Sequence, residues 1–263
     1  MSSITVTTVQ RSWHSLLEYI QRLTRAHPLL STLAAGVPLT LALTWPALRA
    51  SYKGYIALGP GGMPHNVFGW VAQGLLLPFA LKDTQDTAVF SNPRVVKEYA
   101  PHGTRSFFDP LDGPLPVREG PRPTVPGYVA PQRQTSSSNP GNVGAMRAFL
   151  SSLADNDKLE ICASKLEHPH TPALATSPPA WYPQGEIAHV HAEGSAHMVL
   201  SLVDAAAAVH NGWAERHRLA GRGLPHSYVL VYAPRDDAEM EVWCRLVRAA
   251  VGFVTAAGET DEI

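Results

Sequence analysis

"GEIAHVHAEGSAHMVLSL", residues 185–202, places His189, His191 and His197 within nine positions. Residues two apart lie on opposite sides of a helix but on the same side of a strand, so this spacing has a use only in extended structure. Glu193, Gly194 and Ser195 supply a turn, and the segment reads as a β-hairpin. An odd number of loop residues pairs His197 across from His191 and puts all three imidazoles on one face; an even number sends His197 to the other. Working outward, "SYVLVYAP" (227–234) is a strongly apolar strand and "KLEICASKLEH" (158–168) alternates as another. Helical spacing of Met146, Phe149, Leu150 and Leu153 predicts a helix before the hairpin. Ser201 and Asp204 have capping-box spacing for a short alanine helix that Asn211 and Gly212 stop. Asp236 caps a last helix on which Met240, Trp243, Val247, Ala250, Val251 and Val254 recur. Strands and helices mix without strict βαβ alternation, which predicts an α+β domain with a mainly antiparallel sheet and packed helices.

With 263 residues, 45% of them hydrophobic, the chain can bury one good core. Lys plus Arg at 21 against Asp plus Glu at 22 leaves a net charge of −1 and no basic patch, so nucleic acid is not an expected partner. Two cysteines, Cys162 and Cys244, form no CxxC pair, which argues against a disulfide scaffold and a thiolate zinc site and reads as two buried free thiols.

From Leu29 to Leu48 twenty residues pass without a charge, about the length that spans a ~30 Å hydrocarbon core. The expectation is an N-terminal segment (1–50) with a single-pass transmembrane anchor at 29–48, a membrane location, and a second domain over 51–263. A buried core helix is the alternative, since Gly36 and Pro38 weaken the run. A second apolar stretch, Val67 to Leu81, is too short to span and is expected to pack in the core or rest at an interface. Nine prolines between Pro101 and Pro140 predict an irregular loop over about 101–142, containing "LPVREGPRPTVPGYVAPQRQ" (115–134).

"LPVREGPRP", "PQRQ", "GEIAHVH", "GSAHMVLS", "GWAERHRLAG" and "YAPRDDAE", in this order after an apolar N-terminal run and "LGPGGMPHNVFGW", resemble the fungal luciferase family over roughly residues 29–257. The resemblance implies an enzyme that oxidises a styryl-pyrone, 3-hydroxyhispidin, with O2. Such an enzyme releases CO2 and an excited product and uses no known metal or organic cofactor. Family likeness does not by itself dictate substrate or light emission.

O2 in its ground state reacts poorly with closed-shell organics, so an enzyme without a redox cofactor must make its substrate electron-rich, as a hydroxypyrone enolate is. Such a site needs a base, a cation or donors for the oxyanion, and exclusion of water. Histidine is the natural base near neutrality, which selects His189 and His191, then His197 and His217. Arg118, Arg122 and Arg235 are candidate enolate clamps. Glu186 and Glu215 are candidates to orient an imidazole, and Trp181, Tyr182, Trp213 and Tyr232 to wall the substrate. The expected partner is a small phenolic or pyrone-like molecule. Two other readings remain open: a non-catalytic small-molecule binding protein, and a metal-dependent enzyme, because H-x-H on a strand with a third histidine is also a divalent-metal pattern.

Overall fold

The computed structural model describes residue 15 and residues 17–259 other than 155–157, 168–169, 177–181 and 183. Trp181 therefore lies outside the described residues. The chain divides into two compact units, Met1–Gly54 and Tyr55–Ile263.

The first unit corrects the sequence expectation. Its long helix, α1 (Pro28–Ala57), has the length of a span, but Pro38 and Pro46 lie inside it. Gly36, Ser31 and three threonines dilute its apolar content, and Thr32 and Thr44 turn their hydroxyls back onto the carbonyls of Pro28 and Thr40. Among the described residues no helix is long and apolar enough to cross a membrane. A transmembrane helix, a single-pass anchor at 29–48 and a membrane location are therefore not supported.

The second unit is built on a six-stranded, wholly antiparallel sheet: β1 (Glu160–Ala163), β2 (Pro172–Ala175), β3 (Glu186–Val190), β4 (Ala196–Val199), β5 (Ala214–Arg216) and β6 (Tyr228–Val231). Their order across the sheet is β1-β2-β3-β4-β6-β5. The alternating stretch 158–168 yields only the four residues of β1, a short edge strand half open to solvent. By contrast β3, β4 and β6 are buried along their whole length, hence on both faces. Their β-branched and apolar residues suit such a position.

Period-two alternation sorts β3 and β4 into two faces. Ala188 and Val190, with their register partners Met198 and Ala196, join the hydrophobic core. There they meet α6 (Asp237–Glu259) through Trp243, Leu246, Val247, Ala250 and Phe253, and α4 (Val143–Leu153) through Met146 and Leu150. His189, His191 and His197 occupy the opposite face. The α+β, antiparallel reading of the sequence thus describes this unit.

Local signals close the elements. Ser201 Oγ accepts from the Asp204 amide at 3.1 Å and caps α5 (Leu202–His210). The Asp204 carboxylate accepts from Ser106 Oγ and the Phe107 amide, fastening the preceding loop to the helix. Asp236 caps α6 by accepting from the Glu239 amide. Cys162 and Cys244 are free thiols, half-buried rather than fully so.

The second apolar stretch forms α2 (Val67–Leu76) and one 3-10 turn, Leu77–Phe79. It is neither core nor span. Gly69 and Gln73 are its buried residues, while Phe68 is 78% and Leu75 71% exposed. The short helix α3 (Pro93–Glu98) follows and buries Val95.

Candidate functional site

The β3–β4 hairpin closes with a five-residue connection, because Val190 pairs with Ala196 and the His191 amide donates to the Ser195 carbonyl. The odd count brings the three imidazoles to one face, with a register two residues from the expected one: His197 pairs with His189, not His191. Gly194 makes the turn at φ +98°, where a Cβ would lie 2.8 Å from the Asn139 carbonyl oxygen. Ring centroids of His189, His191 and His197 lie 4.9 to 5.4 Å apart. His217, just after β5, adds a fourth ring 5.0 Å from His197.

All four imidazoles are buried, and each has one ring nitrogen fixed by an outer partner. His189 Nδ1 lies 2.5 Å from Glu186 Oε1. Ser195 Oγ donates to Glu193, so it can only accept from His191 Nδ1, 2.9 Å away. His197 Nδ1 faces the Val229 carbonyl, an acceptor, at 3.2 Å. In His191 and His197 the proton is therefore on Nδ1 and an unshared pair is on Nε2, while the His189 Nδ1 proton lies toward Glu186. His217 is the reverse. Its Nδ1 accepts from the Leu219 amide at 3.0 Å, which leaves Nε2–H as a donor.

Electrostatics follow from burial and these partners. Burial pushes the Glu186 carboxyl up, but hydrogen bonds from His189, the Lys165 amide and Ser164 outweigh it and hold the group below the usual carboxylate range. Glu193 behaves alike, with His191, Ser195 and Arg133 outweighing burial. Burial lowers His191 against the opposing pull of Glu193. It lowers His197 further, reinforced by the neighbouring imidazoles, and takes His217 down to about 3.

The cluster opens on a cavity of about 330 Å³. His197, His217 and Tyr228 form one wall, with Tyr228 stacked on His197 at 5.0 Å. Met63, Pro131, Leu166, Leu219 and Leu224 supply apolar surface, and Gln132, Lys165, Glu167 and Arg222 polar groups, with Glu167 already paired to Arg133. The volume falls at the lower end of the usual range for small-molecule sites. Lys165 Nζ donates to the Gln184 carbonyl and Arg222 to that of Phe79. Among the described residues neither has a carboxylate partner. Sequence reasoning passed over both cations; the local signal was the Gly221-Arg222-Gly223 turn, whose two glycines adopt positive φ and present Arg222 at the rim.

The remaining candidates gather elsewhere. Arg118 pairs with Glu239 at 3.1 Å, donates to the Ala233 carbonyl, and lies over the rings of Trp213 and Tyr232. Arg235 also binds Glu239, through Nε at 2.7 Å. Arg118, Trp213 and Arg235 line a separate cavity of about 250 Å³ that no histidine borders. Arg122 donates to the carbonyls of Ala214 and Val209. Glu215 accepts from Gln132 at 2.7 Å and from Tyr232, and burial raises its carboxyl. The loop 115–134 does fold back to the histidine cavity, but brings Pro131 and Gln132 to it rather than Arg118 or Arg122. Tyr182 is buried and lines a third cavity with Tyr99 and His226.

Comparison with known proteins agrees with the motif order. The family described as Luciferase domain matches residues 184–250, a span that contains the whole hairpin, His217 and most of α6. The chain is 26% identical to the luciferase of Neonothopanus nambi over 92% of its own length and 94% of that protein's. It is 26% identical to the luciferase of Armillaria ostoyae over 86% of this chain and 88% of that one, and 25% identical to that of Armillaria mellea over 88% and 91%. No solved structure matches.

Proposed function

From a chain that is fungal-luciferase-like over most of its length, we propose an O2-using oxygenase that acts on a hydroxypyrone such as 3-hydroxyhispidin or on a related enolisable phenolic metabolite. The observation that carries the reading is the histidine cluster at the end of an amphipathic cavity. Ring nitrogens of His189, His191 and His197 lie within 4.8 Å of one another and attract positive charge there, as a proton or a cation in its place, and that charge holds the substrate as its enolate. His217 Nε2–H, fixed by the Leu219 amide, donates to an oxyanion beside it. Lys165 and Arg222 at the rim favour an anionic ligand. Tyr228, Leu219 and Leu224 give its ring an apolar wall and keep water from the electron-rich carbon. The enolate then gives electrons to O2 directly.

The test is to incubate the full chain with 3-hydroxyhispidin and record O2 uptake, CO2 release and photons. Substrate-dependent O2 uptake that His217→Phe lowers by about 10- to 100-fold is the expected result. Tight binding of the pyrone without O2 uptake would replace the reading with a non-catalytic binding protein.

A further inference from the structure

We propose that His189, His191 and His197 form a binding site for one divalent first-row transition-metal ion, held by the three Nε2 atoms. The inference rests on the oxygenase reading for the purpose of the metal, not for its presence.

Ring geometry carries the argument. His189 Nε2 and His191 Nε2 are 3.1 Å apart, a hydrogen-bond distance. Both rings already spend their Nδ1 protons on outer acceptors, Glu186 and Ser195. At that separation the two Nε2 atoms need a positive centre between them, which a proton supplies to this one pair and a metal ion supplies to both and to His197 as well. His197 turns a third pair to the same place, and one ring nitrogen from each of the three residues lies within 4.8 Å of the others. Metal–imidazole bonds of about 2.0–2.1 Å put neighbouring ligand nitrogens roughly 2.9 to 3.4 Å apart, so the His189–His191 spacing already matches and His197 closes the set with a small shift.

The outer partners are those a metal site needs. A ligating imidazole ordinarily donates its other N–H to a carboxylate, a carbonyl or a hydroxyl, which fixes the tautomer and raises the basicity of the ligating nitrogen. Here the three rings use one of each: Glu186, the Val229 carbonyl, and Ser195 backed by Glu193. Neutral imidazoles suit iron, cobalt, nickel, copper and zinc over magnesium or calcium. The hairpin geometry holds all three ligands on one side, and the cavity reaches the cluster at His197. His217 is excluded as a ligand by its opposite tautomer.

Co2+ added to chelator-treated full-length protein is the probe, read by its visible absorption and by thermal shift. The expected result is saturation at one Co2+ per chain with a raised Tm. His191→Ala and His197→Ala should abolish that stoichiometric step, Glu186→Gln should weaken it about 10- to 100-fold, and His102→Gln should leave it unchanged. No spectral change in the wild type, or equal binding by the His191 and His197 variants, overturns the proposal whatever the fold of those variants. Activity separates the two readings. Full O2 uptake by chelated, metal-free protein removes the metal from the oxygenation and leaves the oxygenase, while the Co2+ titration alone decides whether the site exists. Stoichiometric metal binding with no O2 uptake on any hydroxypyrone keeps the site and removes the oxygenase.

Discussion

Glu239 shows what single residues decide here. Its carboxylate receives Arg118 on one oxygen and Arg235 on the other, at the first turn of α6, where a negative charge also suits the helix dipole. Burial pushes its carboxyl up, yet the two guanidiniums outweigh that and hold it below the usual range. A group whose folded value is depressed stabilises the fold above its unfolded value, and the contribution is lost as pH falls through the folded value. Glu239→Gln should therefore cost about 2 to 4 kcal/mol at pH 7, because Arg118 stays buried without its counter-charge. In denaturant melts of both proteins the gap should shrink as pH drops below the ordinary carboxylate range, where the wild type also becomes neutral. A gap that is constant with pH would show that Glu239 acts through packing alone. Nothing near "REGPRP" in sequence foretells this partner, which lies 121 positions away. That distance is why Arg118 read as an enolate clamp when only its neighbours are considered, whereas Arg235 reaches Glu239 from just four positions away.

At the scale of elements, the hairpin was legible because a period of two admits one conformation, and its odd connection set the shared face even though the pairing slipped by two residues. The proline-rich loop was legible as irregular, but its buried positions, Arg118, Val129 and Gln132 to Gln134 among them, were not. Its side chains are spent on the backbone of other elements: Arg122 on Val209 and Ala214, Gln132 on Arg216, Arg133 on Leu58 and Pro60. Such bonds satisfy carbonyls that have no strand neighbour, and no local pattern encodes them. The helix α2 is tied down in the same way. Gln73, 3% exposed, accepts from the Val129 amide at 3.1 Å. Gln73→Leu would improve the apolar pattern of α2 yet leave the Val129 amide unpaired in the interior, so it should destabilise by about 1 to 3 kcal/mol. Thermal or urea melts read this directly, and an unchanged or raised midpoint would mean that the loop does not depend on the bond.

For the whole molecule, the sequence carried the antiparallel α+β architecture and the luciferase-like order of motifs, since both rest on patterns repeated over many residues. It misread the N-terminal run because absence of charge is not the same as hydropathy; prolines, threonines and a glycine keep α1 below what a spanning helix needs. The core half of the expectation for the apolar stretch that follows fails for a related reason. Pattern alone says that apolar residues want cover, and α2 with the 3-10 turn after it leaves Phe68, Leu75 and Phe79 without it.

Those three side chains meet solvent after folding much as they do before it. Whatever free energy holds the fold together, their transfer from water contributes little to it. Their identity is therefore open to change in a way that core residues are not. Phe68→Lys with Leu75→Glu should leave the midpoint of unfolding within about 0.5 kcal/mol of the parent. The same pair should lower the fluorescence of a bound apolar dye and slow self-association in concentrated solution. If the double substitution instead cost several kcal/mol, the outward face of α2 would have to be covered in the native protein. Otherwise solubility and stability are separable properties of this chain, and one can be engineered without a toll on the other.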